Sequence, residues 1–300
     1  MHARLRSWLQ LLRAPNLFTV AGDPLAGFLL ANFGVPTTGV LPALGASLCF
    51  YGAGLLHNDL VDLAEDREER PDRPLPSGAA SPRAVWLTTL ALCLIGIILC
   101  AACGSLTTGL GAALVTAVGA YNQKLKKIPL LGALSMGTCR ALSLLLGASA
   151  APARAIPPDA WVCAVLLGLY IAAVTHLARF ETRRSAPVLA RWLPGVVLIA
   201  MIATLAALPS MGSGASAVLG GGLSLGLLAL AALLGFKLAF QLSSSHPPPL
   251  PPCIGRFIRL LLIIQAAFCS HSGLLGILFA LVLLALWPIS ARVSKRFYAS

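Results

Sequence analysis

The feature that most constrains this chain is the near-continuous division of its 300 residues into apolar runs of membrane-spanning length. Runs bounded by polar or proline-containing breaks cover 17–34, 40–57, 84–103, 106–122, 130–150, 159–178, 189–208 and 214–238, and a last stretch, 257–289, is interrupted at Ser270-His271-Ser272-Gly273. As one helix that last stretch would be about 50 Å long, too long for a hydrocarbon core of about 30 Å, so two short helices forming a hairpin are expected. The fold class that follows is all-α, a polytopic transmembrane bundle of nine to ten helices in one domain. Residues 1–16 form an interfacial helix in this reading, 17–289 the bundle and 290–300 a tail.

Composition excludes the soluble classes. The chain is 58% hydrophobic and 11% charged with a mean hydropathy of +0.86, whereas soluble domains run at about 45–50% apolar and about 25% charged. Eight cysteines lie mostly inside apolar runs and read as small buried hydrophobes, without a disulfide framework. The formal charge of +12 would fit nucleic acid in a soluble protein, but here its distribution argues against that partner.

Basic residues recur after every second run: Arg4, Arg6 and Arg13; Arg67, Arg70, Arg73 and Arg83; Lys124, Lys126 and Lys127; Arg179, Arg183, Arg184 and Arg191; Lys237, Arg256 and Arg259; Arg292, Lys295 and Arg296. Of the 22 positive charges only Arg154 and Arg140 fall outside these groups. Ten spans with both termini cytoplasmic satisfy the positive-inside rule; nine would strand the last group. Arg4 and Arg6 before an apolar run also resemble a secretory signal. That run, however, continues past Pro24 to Ala31 without a convincing cleavage site, and Leu5, Trp8, Leu9 and Leu12 make one apolar face of an interfacial helix. The expected location is a bacterial inner membrane. His246–Pro252 reads as a stiff proline-rich loop.

Chemistry concentrates after the second run. Seven of the ten acids, Asp59, Asp62, Glu65, Asp66, Glu68, Glu69 and Asp72, fall within fourteen residues. Asn58, Asp62 and Asp66 are spaced by four, so a continuing helix stacks them on one face and converges three side chains bearing oxygen donors. Such a row suits Mg²⁺, which is shared between one or two carboxylates and substrate phosphates. A solvated acidic loop balanced by Arg67, Arg70 and Arg73 would have the same composition. Asn58 and Asp62, however, begin at the membrane boundary, where ionisable groups are costly and usually functional. Arg73-Pro74-Leu75-Pro76-Ser77-Gly78 then makes a rigid turn that holds a guanidinium near the row.

Asn58-Asp-Leu-Val-Asp62-Leu-Ala-Glu-Asp66, followed by Pro71-Asp-Arg73-Pro-Leu-Pro-Ser-Gly78, resembles the first aspartate-rich motif, NDxxDxxxD with RPLxSG, of the UbiA-type intramembrane prenyltransferases. Arg13-Ala-Pro-Asn16 is similar to that family's RPxN-like start, and Tyr121-Asn-Gln-Lys-Leu-Lys126-Lys-Ile-Pro129 to its YxxxLKR-P element. The resemblance implies a helical bundle around a central cavity, with Mg²⁺ bridging the aspartates to a polyprenyl diphosphate and a prenyl cation passing to a hydrophobic acceptor. By position Asn58, Asp62 and Asp66 would hold the metal, and Arg73, Lys126 and Lys124 would neutralise the leaving diphosphate, with Arg13, Asn16 and Tyr121 beside them. Preorganised cations facing a departing diphosphate are worth several kcal/mol, about the scale of a single oxyanion contact.

The second half departs from this pattern. Where the family carries a second aspartate motif, the chain has Thr175-His-Leu-Ala-Arg179-Phe-Glu181-Thr-Arg-Arg184 and no aspartate, so Glu181 is the single acid there. Arg179, Arg183 and Arg184 are candidates to replace a second metal, since Arg pairs bidentately with phosphate oxygens. The Arg-x-Glu form resembles the EboC-type branch, which implies making or moving an isoprenoid-linked metabolite. His176, one turn before Arg179, is a candidate cavity residue or base, and His57 a helix-end histidine. Arg140, inside an apolar run, is a candidate for an anion or cavity contact. Cys100-Ala-Ala-Cys103 reads as packing, and Gly222-Leu-Ser-Leu-Gly226 as a close helix contact. Two functions emerge: an Mg²⁺-dependent prenyltransferase, or a non-catalytic isoprenoid-lipid carrier or translocase. A channel or ion-coupled transporter is disfavoured because the acids sit at the boundary and not at the bilayer midplane.

Overall fold

The computed structural model describes residues 2–32, 38–152, 155–181, 186–209 and 214–296. These are helical, with no strand among them. The chain runs α1 (His2–Leu11), α2 (Ala14–Val20), α3 (Gly22–Ala31), α4 (Val40–Val61), α5 (Leu63–Glu69), α6 (Pro82–Cys103), α7 (Ser105–Gln123), a 3-10 turn (Leu125–Lys127), α8 (Pro129–Ser149), α9 (Pro158–Ala178), α10 (Val188–Ala207), α11 (Gly214–Leu242), α12 (Leu250–Arg259), α13 (Leu261–His271) and α14 (Leu274–Arg296). Eight of the described helical stretches are long and apolar enough to cross a membrane, with a shorter apolar stretch at Asn16–Ala31. That stretch and the 19-residue α7 match the two remaining expected spans.

Sequence punctuation explains most boundaries. Pro82, Pro129 and Pro158 occupy first helical positions, where the missing N–H breaks no hydrogen bond. Ser81 caps α6 by accepting from the Ala84 N–H at 3.2 Å. Gly104, at φ 125°, is the single residue joining α6 to α7, a conformation that a Cβ would oppose. The expected terminal hairpin forms with its break at Ser272-Gly273, but its first arm starts earlier than residue 257: α12 begins at Leu250, so Pro251 and Pro252 lie in a first helical turn and only the preceding residues are loop. The residues expected to form a tail from 290 continue α14 to Arg296.

The bundle is apolar both inside and on its outer surface. The core is centred on α3, α8, α9 and α13, with Phe28, Leu144, Leu167, Tyr170 and Phe268 fully buried. Leu87, Leu90, Leu94 and Ile98 of α6 and Leu274, Leu278 and Leu281 of α14 are exposed at helical spacing, as a lipid-facing surface requires. Gly147 lets α8 approach α3 so closely that a Cβ would collide with the Pro24 carbonyl. The contact expected at Gly222 and Gly226 is not made: nothing lies within 4 Å of a Cβ at either, and the close approach falls at Gly220, beside the Ser270 carbonyl. A glycine spacing fixes a helix face without fixing what that face meets. A smaller cluster packs Trp8, Leu11 and Leu12 from the N-terminus against Leu56, Leu75, Ala80 and Val85, which seats α1 over the end of α4.

Candidate active site

The acidic segment is built on a helix that bends without losing its register. α4 ends at Val61 and α5 starts at Leu63, yet Asp62 N–H donates to Asn58 O at 2.9 Å and Asp66 N–H to Asp62 O at 2.8 Å. Asn58, Asp62 and Asp66 are therefore carried along one face across the bend. Asn58 Nδ2 donates to Asp62 Oδ2 at 3.0 Å. Lys126 Nζ, brought from the 3-10 turn, donates to Asn58 Oδ1 at 3.0 Å and pairs with Asp62 Oδ1. Arg73 Nη1 reaches both oxygens of buried Asp66, at 3.0 and 2.8 Å, and Arg70 Nη1 lies 3.7 Å from Asp66. Like charges one turn apart repel, and here each carboxylate has its own cation.

Beside this row opens a cleft of about 470 Å³, walled by Gln10, Arg13, Asp59, Arg70, Asp72 and Arg73 among others. Arg13 projects into it from the break between α1 and α2. Its backbone is left-handed (φ 43°, ψ 56°), the one positive-φ non-glycine among the described residues. Its Nη2 lies 3.8 Å from Asp59 Oδ1, a buried oxygen that accepts no hydrogen bond. Asp59 and Arg70 are cleft residues that the motif reading left without a role; the pairing of Arg70 with Asp66 at i,i+4 was the available signal.

Most of the expected residues gather here. Tyr121 is within electrostatic reach of Arg13 and Asp62, and Asn16 lies beside Tyr51, with its N–H donating to Arg13 O at 2.8 Å. Glu181 arrives from the end of α9 into the field of Arg70 and Arg13; desolvation raises its carboxyl above the ordinary carboxylate range, and the two guanidinia partly oppose the rise. Lys124 is exposed at the end of α7, and Arg179 is exposed at the end of α9. Arg183 and Arg184 lie outside the described residues.

Two candidates are engaged elsewhere. The Arg140 guanidinium is absorbed inside the bundle: its Nε lies 2.9 Å from Asp23 Oδ2, and its Nη2 donates to Asp23 Oδ1 at 3.1 Å and to Thr19 O at 2.8 Å. Gln265 Nε2 donates to the same Asp23 oxygen and the same carbonyl, each at 2.6 Å. Asp23 is fully buried, so this is an internal lock between α3, α8 and α13, not a wall of the cleft. His176 packs edge-on against Phe180, with centroids 5.6 Å apart, and its buried Nδ1 has no hydrogen-bond partner. His57 is held by Asn122, whose Nδ2 lies 3.3 Å from Nδ1 and also donates to Gly54 O.

Among the described residues no three His, Cys, Asp or Glu side chains form a ready-made metal cage. The donor set of Asn58, Asp62 and Asp66 is nevertheless all oxygen, two carboxylates and one amide on one face, which fits Mg²⁺ completing its shell with phosphate and water.

The model of the UbiA prenyltransferase family matches residues 24–262. The digeranylgeranylglyceryl phosphate synthase of Saccharolobus solfataricus is 35% identical over 150 residues, covering 48% of this chain and 51% of that protein. That of Methanopyrus kandleri is 29% identical over 154 residues, covering 50% and 56%. The chain thus spans about half the length of these relatives. In fold it is similar to a UbiA homologue from Archaeoglobus fulgidus bound to GPP and Mg²⁺, with a TM-score of 0.66 at 15% identity, covering 88% of this chain and 99% of that one. It is also similar to the apo UbiA homologue of Aeropyrum pernix, with a TM-score of 0.61 at 18% identity, covering 84% and 96%. With the family matched over most of its length and the family's helical architecture in place, this chain is an integral membrane protein that belongs to the UbiA prenyltransferase family.

Proposed function

We propose that the chain transfers a polyprenyl group from an isoprenoid diphosphate to a hydrophobic acceptor, with Mg²⁺ as cofactor. The observation that carries this reading is the oxygen-donor row of Asn58, Asp62 and Asp66 interleaved with Lys126 and Arg73. Such an array presents cation-binding oxygens and phosphate-binding nitrogens at one place, which a purely structural salt-bridge network does not need. Bound there by Asn58, Asp62 and Asp66, Mg²⁺ would neutralise diphosphate oxygens. Lys126 and Arg73 exchange their carboxylate partners for phosphate oxygens when donor and metal enter. Arg13, already aimed into the cleft, supplies a further fixed positive charge. As the allylic C–O bond breaks, its electron pair leaves with the diphosphate, and these cations hold the added negative charge. The acceptor's nucleophilic atom closes the new bond to the prenyl carbon and loses its proton. Glu181, with a raised pKa and within the field of Arg70 and Arg13, is the group that takes it. Both termini and the site face the cytoplasm of a bacterial plasma membrane in this reading.

The test is Mg²⁺-dependent release of diphosphate from labelled geranyl, farnesyl and geranylgeranyl diphosphates by the protein in nanodiscs, with a lipid extract as acceptor source, alongside Asp62→Asn and Asp66→Asn. Turnover by the wild type and none by the variants is expected. One observation favours a second reading as a carrier or translocase: Glu181 is the single acid at the second site. Donor binding with Mg²⁺ and no consumption in any acceptor mixture would select it; no binding at all would remove both.

A further inference from the structure

Away from the cleft, α12 ends in an arginine pair that has no counter-charge among the described residues. α12 is amphipathic: Cys253, Ile254 and Phe257 are buried, while Arg256 is exposed and Arg259 half-buried in its last turn. The helix is rigidly seated, since Tyr170 Oη of α9 donates to Phe257 O at 2.7 Å and α13 follows directly after Leu260. Arg259 Nη2 donates to Ser294 Oγ of α14 at 2.9 Å, which fixes the guanidinium beside the C-terminal end of the last span, on the basic side of the bundle. Its Nε is buried and has no hydrogen-bond partner.

The ion pairs among the described residues involve Arg13, Arg70, Arg73, Lys126 and Arg140, and neither Arg256 nor Arg259 has a carboxylate within 4.0 Å. The helix dipole does not satisfy them, because the Leu260 N–H already bonds the Arg256 and Phe257 carbonyls, and the chain turns at once into α13. Two guanidinia one turn apart at the end of α12, one with an unmet buried donor and neither with a carboxylate among the described residues, offer a site to an anion from outside the protein. At the headgroup level of a membrane that anion is a lipid phosphate, which matches the planar donor fork of arginine. We infer that Arg256, Arg259 and Ser294 form a binding site for the phosphate headgroup of an anionic glycerophospholipid, separate from the prenyl diphosphate site.

Native mass spectrometry of the full chain, titrated with phosphatidylglycerol or phosphatidylcholine, tests this. One phosphatidylglycerol is expected to stay bound preferentially, and Arg256→Gln with Arg259→Gln is expected to weaken it about thirtyfold, from the roughly fivefold that each interfacial arginine contributes. Arg83→Gln with Lys127→Gln, which removes the same charge from the same side, should leave it bound. Arg256→Lys with Arg259→Lys keeps the charge and the fold but loses the fork, and is expected to fall between wild type and the Gln pair. Ser294→Ala should weaken binding by a smaller factor, which a diffuse charge effect would not do. Equal retention of both lipids, equal loss in the two Gln double variants, or competition by glycerol 3-phosphate at the same concentration as the lipid would overturn the proposal; the last would make the site one for soluble anions.

Discussion

The acidic ends of the two halves, at α4–α5 and at the end of α9, are unequal. At the end of α4 and in α5, two aspartates and an asparagine stand in line, and each carboxylate is met by a cation from another segment, Lys126 or Arg73. At the end of α9 there is one carboxylate, Glu181, behind an aromatic contact between His176 and Phe180, and the cations near it, Arg70 and Arg13, belong to the first half. The first end is built to exchange partners, since oxygen donors and guanidinium or ammonium donors are interleaved. The second contributes a single acid, which lies in the field of cations from the first half, Arg70 and Arg13. On the proposed function, the first half supplies most of the groups that would grip the diphosphate and the second half adds Glu181.

The comparison holds only while the halves are joined, so the largest effect is expected at the joint. Asp23→Ala leaves Arg140 buried and uncompensated between α3 and α8, and should lower stability by about 3–5 kcal/mol, read as a fall in the thermal unfolding midpoint in detergent. A loss below about 1 kcal/mol would show that water or lipid reaches the pair. Next, Asp62→Asn or Asp66→Asn should cut diphosphate release by about a hundred- to a thousandfold with little change in stability. If an equivalent loss came from Glu181→Gln, the two ends would be equals and the asymmetry would be wrong.

Third, Lys126→Gln or Arg73→Gln should reduce release by about ten- to a hundredfold. Lys126→Gln leaves Asp62 without its cation and Arg73→Gln leaves Asp66 with only the more distant Arg70, so Mg²⁺ affinity should rise while donor affinity falls, a split that isothermal titration resolves. The smallest effect is expected at Glu181. Its pKa is raised in the folded protein, so the folded state holds that proton more tightly than the unfolded chain, and the ionised group costs stability once pH passes through its unfolded value towards its folded one. Glu181→Gln should therefore leave stability at neutral pH unchanged or slightly higher. Activity should fall by about tenfold or less, and the acidic limb of the rate profile should disappear. An unaltered limb would remove Glu181 from proton transfer.

The fold was legible in the sequence because hydrocarbon leaves few options. A run of apolar residues must satisfy its backbone internally, so run lengths and proline breaks alone located the spans, and the break at Ser272-Gly273 was readable from its polar residues. The row Asn58, Asp62, Asp66 was legible for the same kind of reason, since i,i+4 spacing has one geometric meaning on a helix. Arg140 shows where that legibility ends. Its sequence position within an apolar run says that it needs an anion, but whether the anion is substrate or protein depends on a residue 117 positions away, Asp23. The glycines of α11 make the same point, because Gly222 and Gly226 mark a face and the tertiary packing chose Gly220 instead.

What the sequence determined by itself was local and periodic: the spans, their basic side, the carboxylate row and the absence of a second one. What only the tertiary structure decided was pairing. It assigned Lys126 to Asp62, Arg73 to Asp66, Arg13 to Asp59 and Arg140 to Asp23, and among the described residues it left Arg256 and Arg259 without a carboxylate. The physical reason is that periodicity acts through a few residues of one helix, whereas Coulombic partners are selected by distance and burial, which exist only once helices remote in sequence have packed.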